Sequence, residues 1–212
     1  MYSYFNSQSL SILKDFILIV TAIIGSTVAI KGLGTWKKSL KGGVEYDLTR
    51  RLMKSTYKLR EAINGVRNSL IWSYEMPEPD KNTLSEMSES EIRHYGLACA
   101  YEKRWESVIQ VVNEFRPDLL EAETLWGKEV HQQFDRMFKL QTELFINVRN
   151  YLDVMNPKLD EPSKDAIQKL MRKKRDVLYR VEKDDEDADL FHNDLLKAIQ
   201  DIETYLKPHL KK

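Results

Sequence analysis

Glu91 and His94 stand three residues apart, a spacing that puts a carboxylate and an imidazole on one helix face, as the Glu-x-x-His motif of di-metal helical bundles requires. Such a site also needs a second pair of this kind and a carboxylate from each of two further helices. Asp189-x-x-His192 is the nearest second match, and Glu61 and Glu143 are loose candidates for the remaining ligands. Glu91 has a competing role. In Ser88-Glu89-Ser90-Glu91 the serine hydroxyl and the second glutamate carboxylate can satisfy each other's orphan amides at a helix start, a capping box. Capping accounts for Glu91 without a metal, so Glu91 and His94 stand only as candidates, and no metal or cofactor is expected.

The other chemistry-bearing residues lack the company that chemistry needs. The acidic run 184–189 invites Ca²⁺, but an EF-hand loop counted from Asp185 would need glycine at its sixth position and glutamate at its twelfth, where Leu190 and Leu196 stand. Its carboxylates suit a solvated helix start, where they oppose the helix dipole favourably. Cys99 is the only cysteine, which excludes an internal disulfide, and no motif of histidine and acid surrounds it to make it a nucleophile. There is no GxGxxG, P-loop, HExxH or RxxxxH pattern. No catalytic residue is assigned.

The elements that carry these residues are read from hydropathy. Phe16–Ile30 is an uncharged run of fifteen residues, followed by Lys31, Trp36, Lys37, Lys38 and Lys41. At about 1.5 Å per residue the run covers roughly 22 Å, short of a hydrocarbon core of about 30 Å, so its flanks must contribute. Leu10, Ile12, Leu13 and Leu33 can do so, which gives a span of residues 10–33 with Lys14 and Asp15 near one interface. Lys31, Trp36, Lys37, Lys38 and Lys41 are the expected membrane-interface residues, long cations and an indole at headgroup level. Ala22-x-x-x-Ser26 and Gly25-x-x-x-Ala29 are small-residue pairs that permit close approach of a second span.

Charge orients this span. From Lys31 to Arg67 there are ten Lys/Arg against three acids, whereas residues 68–212 hold 22 basic and 29 acidic residues, although the whole chain of 212 is formally neutral. The tail before Leu10 carries no charge. By the positive-inside rule the N-terminus should lie outside and the rest in the cytoplasm. A cleaved signal peptide would want a basic start and a small-x-small site, and neither is present. The basic stretch, with Tyr46 and Tyr57 interleaved, also suits nucleic acid in principle, but a position beside the span makes anionic headgroups the simpler partner.

Beyond Gly32, Gly34, Gly42 and Gly43, which could interrupt a helix, the pattern is helical throughout. Val44, Leu48, Leu52, Leu59, Ile63, Val66 and Leu70 form one apolar stripe, with a polar gap at Ser55 and Thr56 and a basic face of Arg50, Arg51, Lys54 and Lys58. Pro77 and Pro79 mark a loop. His94, Ala98, Tyr101, Trp105, Val108, Val112 and Phe115 follow at heptad spacing, and Arg116-Pro117-Asp118 reads as the joint to the next helix. That helix carries Leu119, Trp126, Val130, Phe134, Met137, Gln141, Leu144, Val148, Leu152 and Met155, with Phe138 and Phe145 at its edge. Ser163 can cap a helix running through Ile167, Leu170, Met171, Val177, Leu178 and Val181, and a last helix carries Phe191, Leu195, Ile199, Ile202 and Leu206 up to Pro208.

Residues Lys31 to Leu48, with Arg50-Arg51-Leu52 and Val66-Arg67-Asn68, resemble the start of a group of uncharacterised bacterial single-pass membrane proteins with a helical cytoplasmic part. That resemblance covers residues 30–70 and implies a bacterial inner membrane, but no activity. The expected architecture is all-α: an extracytoplasmic tail at 1–9, a transmembrane helix at 10–33, a basic linker at 34–43, and at 44–212 a cytoplasmic bundle of about five helices with a long antiparallel hairpin, 88–116 against 118–155. The expected role is a non-catalytic interaction or signalling module with a protein partner or a second copy. The alternatives are a small effector that oligomerises and permeabilises the bilayer, or a helical metal-dependent hydrolase.

Overall fold

A computed structural model of the chain describes residues 2–179 and 189–210, with side chains described from Leu18 onward. Val181 and the acidic stretch 184–188 lie outside the described residues, as do the side chains of Leu10, Ile12, Leu13, Lys14, Asp15 and Phe16. Six α-helices and two single 3-10 turns make up the described chain, with no strand among those residues. The helices are α1 (Tyr2–Val66), α2 (Lys81–Leu84), α3 (Glu89–Trp126), α4 (Glu129–Met155), α5 (Glu161–Arg172) and α6 (Leu190–Leu206). The all-helical fold class is therefore established. Two compact units divide between Asp47 and Leu48.

In the first unit, residues 34–43 are helix, not the linker expected from their glycines. A helical glycine costs only about 1 kcal/mol relative to alanine, and no proline is present to add a steric break. The described side chains from Leu18 to Lys41 are all exposed. Ser26 and Thr27 donate their hydroxyls to the carbonyls of Ala22 and Ile23, each at 2.8 Å, and Thr21 donates to Leu18 at 3.0 Å. The few polar side chains of the apolar run thus satisfy themselves on the preceding turn.

In the second unit the apolar stripes become a core. Leu48, Leu52, Leu59 and Ile63 are fully buried, whereas Val44 and Leu70, the expected stripe ends, are 45% and 62% exposed. The helix stops at Val66, so Leu70 lies in the following loop. Ser55 and Thr56, read as a polar gap, are also buried, and Thr56 donates to the Leu52 carbonyl at 2.8 Å. Helix α4 packs against α3, α5 and α6. Its Phe134, Met137 and Leu144 are completely buried, and Phe134 meets Phe115 of α3 edge-on with centroids 5.3 Å apart.

The hairpin's joint differs from expectation. Helix α3 continues through Pro117 to Trp126, and the chain turns at Gly127, which takes φ +90° and donates its amide to Glu123 O at 2.9 Å. Proline forfeits one backbone bond, but Leu119 and Ala122, buried one turn later, hold the helix on. The arms are antiparallel, since Phe115 meets Phe134, Trp105 meets Phe145, Tyr101 meets Tyr151, and His94 reaches Leu152. Asp160, not Ser163, caps α5, accepting the Ser163 amide at 2.9 Å. This helix ends at Arg172, so Val177 and Leu178 are buried from a non-helical segment rather than from a helix face.

Candidate functional site

The apolar half of α1 is the feature with the strongest chemical character. An eighteen-residue window beginning at or after Leu18 has mean hydropathy 1.6, with none of it buried. Ile23, Val28 and Ile30 are 61%, 65% and 71% exposed, so this surface is available to an apolar environment. Of the expected interface residues, Trp36 is 62% exposed, Lys31, Lys37 and Lys38 are exposed, and Lys41 lies 3.8 Å from Glu45 one turn on.

The basic face of the same helix farther along is largely spoken for. Arg51 is ion-paired with Asp118 at 2.9 Å and with Glu121, and Lys58 with Glu114 at 2.7 Å. These cations fasten α1 to α3, because the acids at one edge of α3 recur at helical spacing opposite them.

The expected metal ligands are dispersed into separate bonds. Glu91 accepts the Ser88 amide at 2.7 Å and the Ser88 hydroxyl at 2.8 Å, and pairs with Lys158 at 3.0 Å, which together hold its carboxyl down to about 2. The reciprocal bond from the Glu91 amide to Ser88 Oγ completes the capping box. His94 Nε2 donates to the Leu152 carbonyl at 3.1 Å, since a carbonyl can only accept. Glu61 pairs with Arg60, Glu143 with Arg175, and Asp189 with Arg67. No cluster of three His, Cys, Asp or Glu suited to a metal occurs among the described residues. A surface cleft of about 600 Å³ lies beside His94, lined also by Ser88, Arg93, Leu97 and Met155.

Sequence reasoning passed over three arginines that organise the second unit. Arg67 is 1% exposed; its Nε donates to Val177 O at 2.7 Å, and its Nη2 donates to Tyr179 O at 2.8 Å and to the Asp189 carboxylate at 2.9 and 3.0 Å. Its guanidinium also lies over the Phe191 ring at 4.6 Å. Arg104 grips Glu75 through both carboxylate oxygens, at 2.7 and 2.9 Å, and donates to the carbonyls of Asn68 and Leu70, so one side chain gathers the loop after α1. The Arg104 bond is the chief reason that the Glu75 carboxyl titrates below its ordinary range. Arg175 holds Glu143 and Asp194, and Arg136 shares Asp194 at 2.7 Å. Bidentate, charge-assisted geometry of this kind is what a planar guanidinium supplies and an ammonium does not. A triad of Tyr101, Tyr151 and Tyr179 sits nearby with centroids 5.9 and 6.4 Å apart, and burial followed by the Tyr179 bond pushes Tyr151 up to about 12.

These groups are structural in geometry: each charged side chain answers another within the domain, and none aims a nucleophile and a base into a shared cavity. Comparison with family models, curated proteins and solved structures returned no match.

Proposed function

We propose that the chain is a single-pass membrane protein whose helical domain is a non-catalytic interaction or signalling module, held on the cytoplasmic face of a bacterial inner membrane. The observation that carries this reading is the bare apolar surface of α1 between Leu18 and Ile30. Nine Phe, Ile, Leu and Val residues stand between Phe16 and Ile30. At about 0.3–0.6 kcal/mol each near a bilayer centre, they favour insertion by roughly 3–5 kcal/mol. Opposing costs are small, because the hydroxyls of Thr21, Ser26 and Thr27 already bond to their own backbone. The surplus of Lys/Arg after the span supports a cytoplasmic C-terminal side.

Protease digestion of sealed, right-side-out spheroplasts and of inverted vesicles tests both halves of this reading. Carbonate-resistant membrane association is expected, with the domain cut only in inverted vesicles. Extraction by carbonate would refute the anchor, and cleavage in intact spheroplasts would refute the orientation.

A further inference from the structure

The α3/α4 hairpin carries two surface seams of the same design. On α3 the seam is Glu102, Trp105, Ile109, Val112, Arg116; on α4 it is Asp135, Phe138, Thr142, Phe145, Arg149. Both step 3-4-3-4, so each forms one line along its helix, about 21 Å from end to end. Each opens with an acid and closes with an arginine. Because the arms are antiparallel, Glu102 lies at the Arg149 end of the face and Arg116 at the Asp135 end, and Trp105 meets Phe145 at 5.0 Å to join the seams.

The middle of this face is apolar and open to solvent. Ile109 is 49% and Phe145 43% exposed, while Trp105, Val112 and Phe138 are half-buried. The four terminal charges are exposed, and none is joined in an ion pair among the described residues, unlike Arg51, Lys58, Arg104, Arg136 and Arg175. These four stand at the rim of an uncovered apolar strip, with Glu106 and Lys139 beside the seams likewise exposed and in no ion pair among the described residues. An apolar centre with a charged rim is the anatomy of an interface.

We infer that this face binds a second copy of the chain, with a twofold axis crossing α3 at Ile109 and α4 at Thr142. The argument is charge complementarity. A twofold interface must be self-complementary: a residue on the axis faces its own copy, and any other residue faces a different partner position and the reverse. Ile109 is midway between Glu102 and Arg116, and Thr142 midway between Asp135 and Arg149, so an axis through those two positions sets every rim charge against its opposite. Glu102 faces Arg116 of the second copy, and Asp135 faces Arg149 of the second copy. Trp105, Ile109, Val112, Phe138 and Phe145 are covered in the same step. A partner of another sequence would have no reason to find the pattern duplicated on both arms.

The test uses the full chain in detergent micelles, with Cys99→Ser and Ile109→Cys, a short bis-maleimide cross-linker, and sedimentation to read the mass. A dimer that cross-links through position 109 is expected. Adding Arg116→Glu and Arg149→Glu sets like charges together at every rim position and should weaken the dimer at least about tenfold. Further addition of Glu102→Arg and Asp135→Arg should restore it, which separates a lost interface from a lost fold. A monomeric full chain overturns the inference, and so does a dimer that ignores the charge reversal or that Gly25→Leu in the span abolishes. The readout concerns the hairpin alone, so failure of the membrane reading in the carbonate assay would leave it standing.

Discussion

Arg67→Met removes the most deeply placed charge of the domain while keeping an unbranched stem against Phe191. In the native chain the guanidinium holds two backbone carbonyls and both oxygens of Asp189, all within 3.0 Å, with Arg67 1% exposed. Methionine replaces none of these donors, so the Val177 and Tyr179 carbonyls lose them and the Asp189 carboxylate loses its countercharge. Removing one member of a buried pair costs about 3–5 kcal/mol, because the remaining charge stays desolvated. That is a large share of the roughly 5–15 kcal/mol that holds a domain folded. Urea unfolding of the full chain in nanodiscs, followed by tryptophan fluorescence, reads the change in midpoint at constant slope. Asp189→Asn is the companion variant: asparagine still caps α6 by accepting the His192 amide, which lies 2.9 Å from Asp189 Oδ1, so only the ion pair is lost. The double variant should lose less than the two singles together, with a coupling of at least about 1 kcal/mol. A loss below about 1 kcal/mol in Arg67→Met, or strict additivity in the double variant, would refute the claim that this guanidinium closes the domain.

Gly127→Ala should cost about 1–3 kcal/mol by the same assay, since alanine is strained at φ +90° and its Cβ would stand 2.7 Å from Glu129 Oε2. Gly127→Ala with Glu129→Ala should recover only the part due to that contact. Glu91, held to about 2, gives a signed pH dependence. A carboxyl whose folded value lies below its ordinary value of 4.5 contributes stability that is fully present above that value and is lost as pH falls toward 2. Amide protection at the start of α3, taken against the intrinsic exchange rate at each pH, should therefore fall on acidification below pH 4.5, and Glu91→Gln should flatten that fall; an unchanged profile in Glu91→Gln would show that the capping box is not its source.

Apolar periodicity made much of the fold legible. Leu48, Leu52, Leu59 and Ile63 on α1, and Val130, Phe134, Met137, Leu144 and Val148 on α4, fall where 3.6-residue spacing puts them, because each is buried for its own hydrophobicity and needs no particular partner. The sequence alone points to Pro117 as the hairpin's joint because a proline taken by itself argues for a helix boundary, whereas the turn lies at Gly127. Pro117 sits between Phe115 and Leu119, both buried, and the packing of those neighbours outweighs one forfeited backbone bond. Gly127 carried the usable signal: a glycine just past a long apolar stripe is the common place for a helix to end.

The arginine clasps left no such trace, and the reason is physical. Arg67 follows Val66 at the end of a helix, where a cation is ordinarily solvated and favourable to the dipole. What buries it is chain from 110 to 122 residues away, including two carbonyls that carry no sequence signal at all. A guanidinium in that position has to find acceptors in several directions at once, and a loop can offer carbonyls only where it abandons regular structure. The non-helical path of Val177–Tyr179 and the buried arginine therefore require each other. The segment stays out of helix because Arg67 takes its carbonyls, and Arg67 can be buried because those carbonyls are not spent on helical bonds. Any substitution that lets α5 continue past Arg172 should expel the guanidinium, which ties a local helix boundary to the closure of the whole domain.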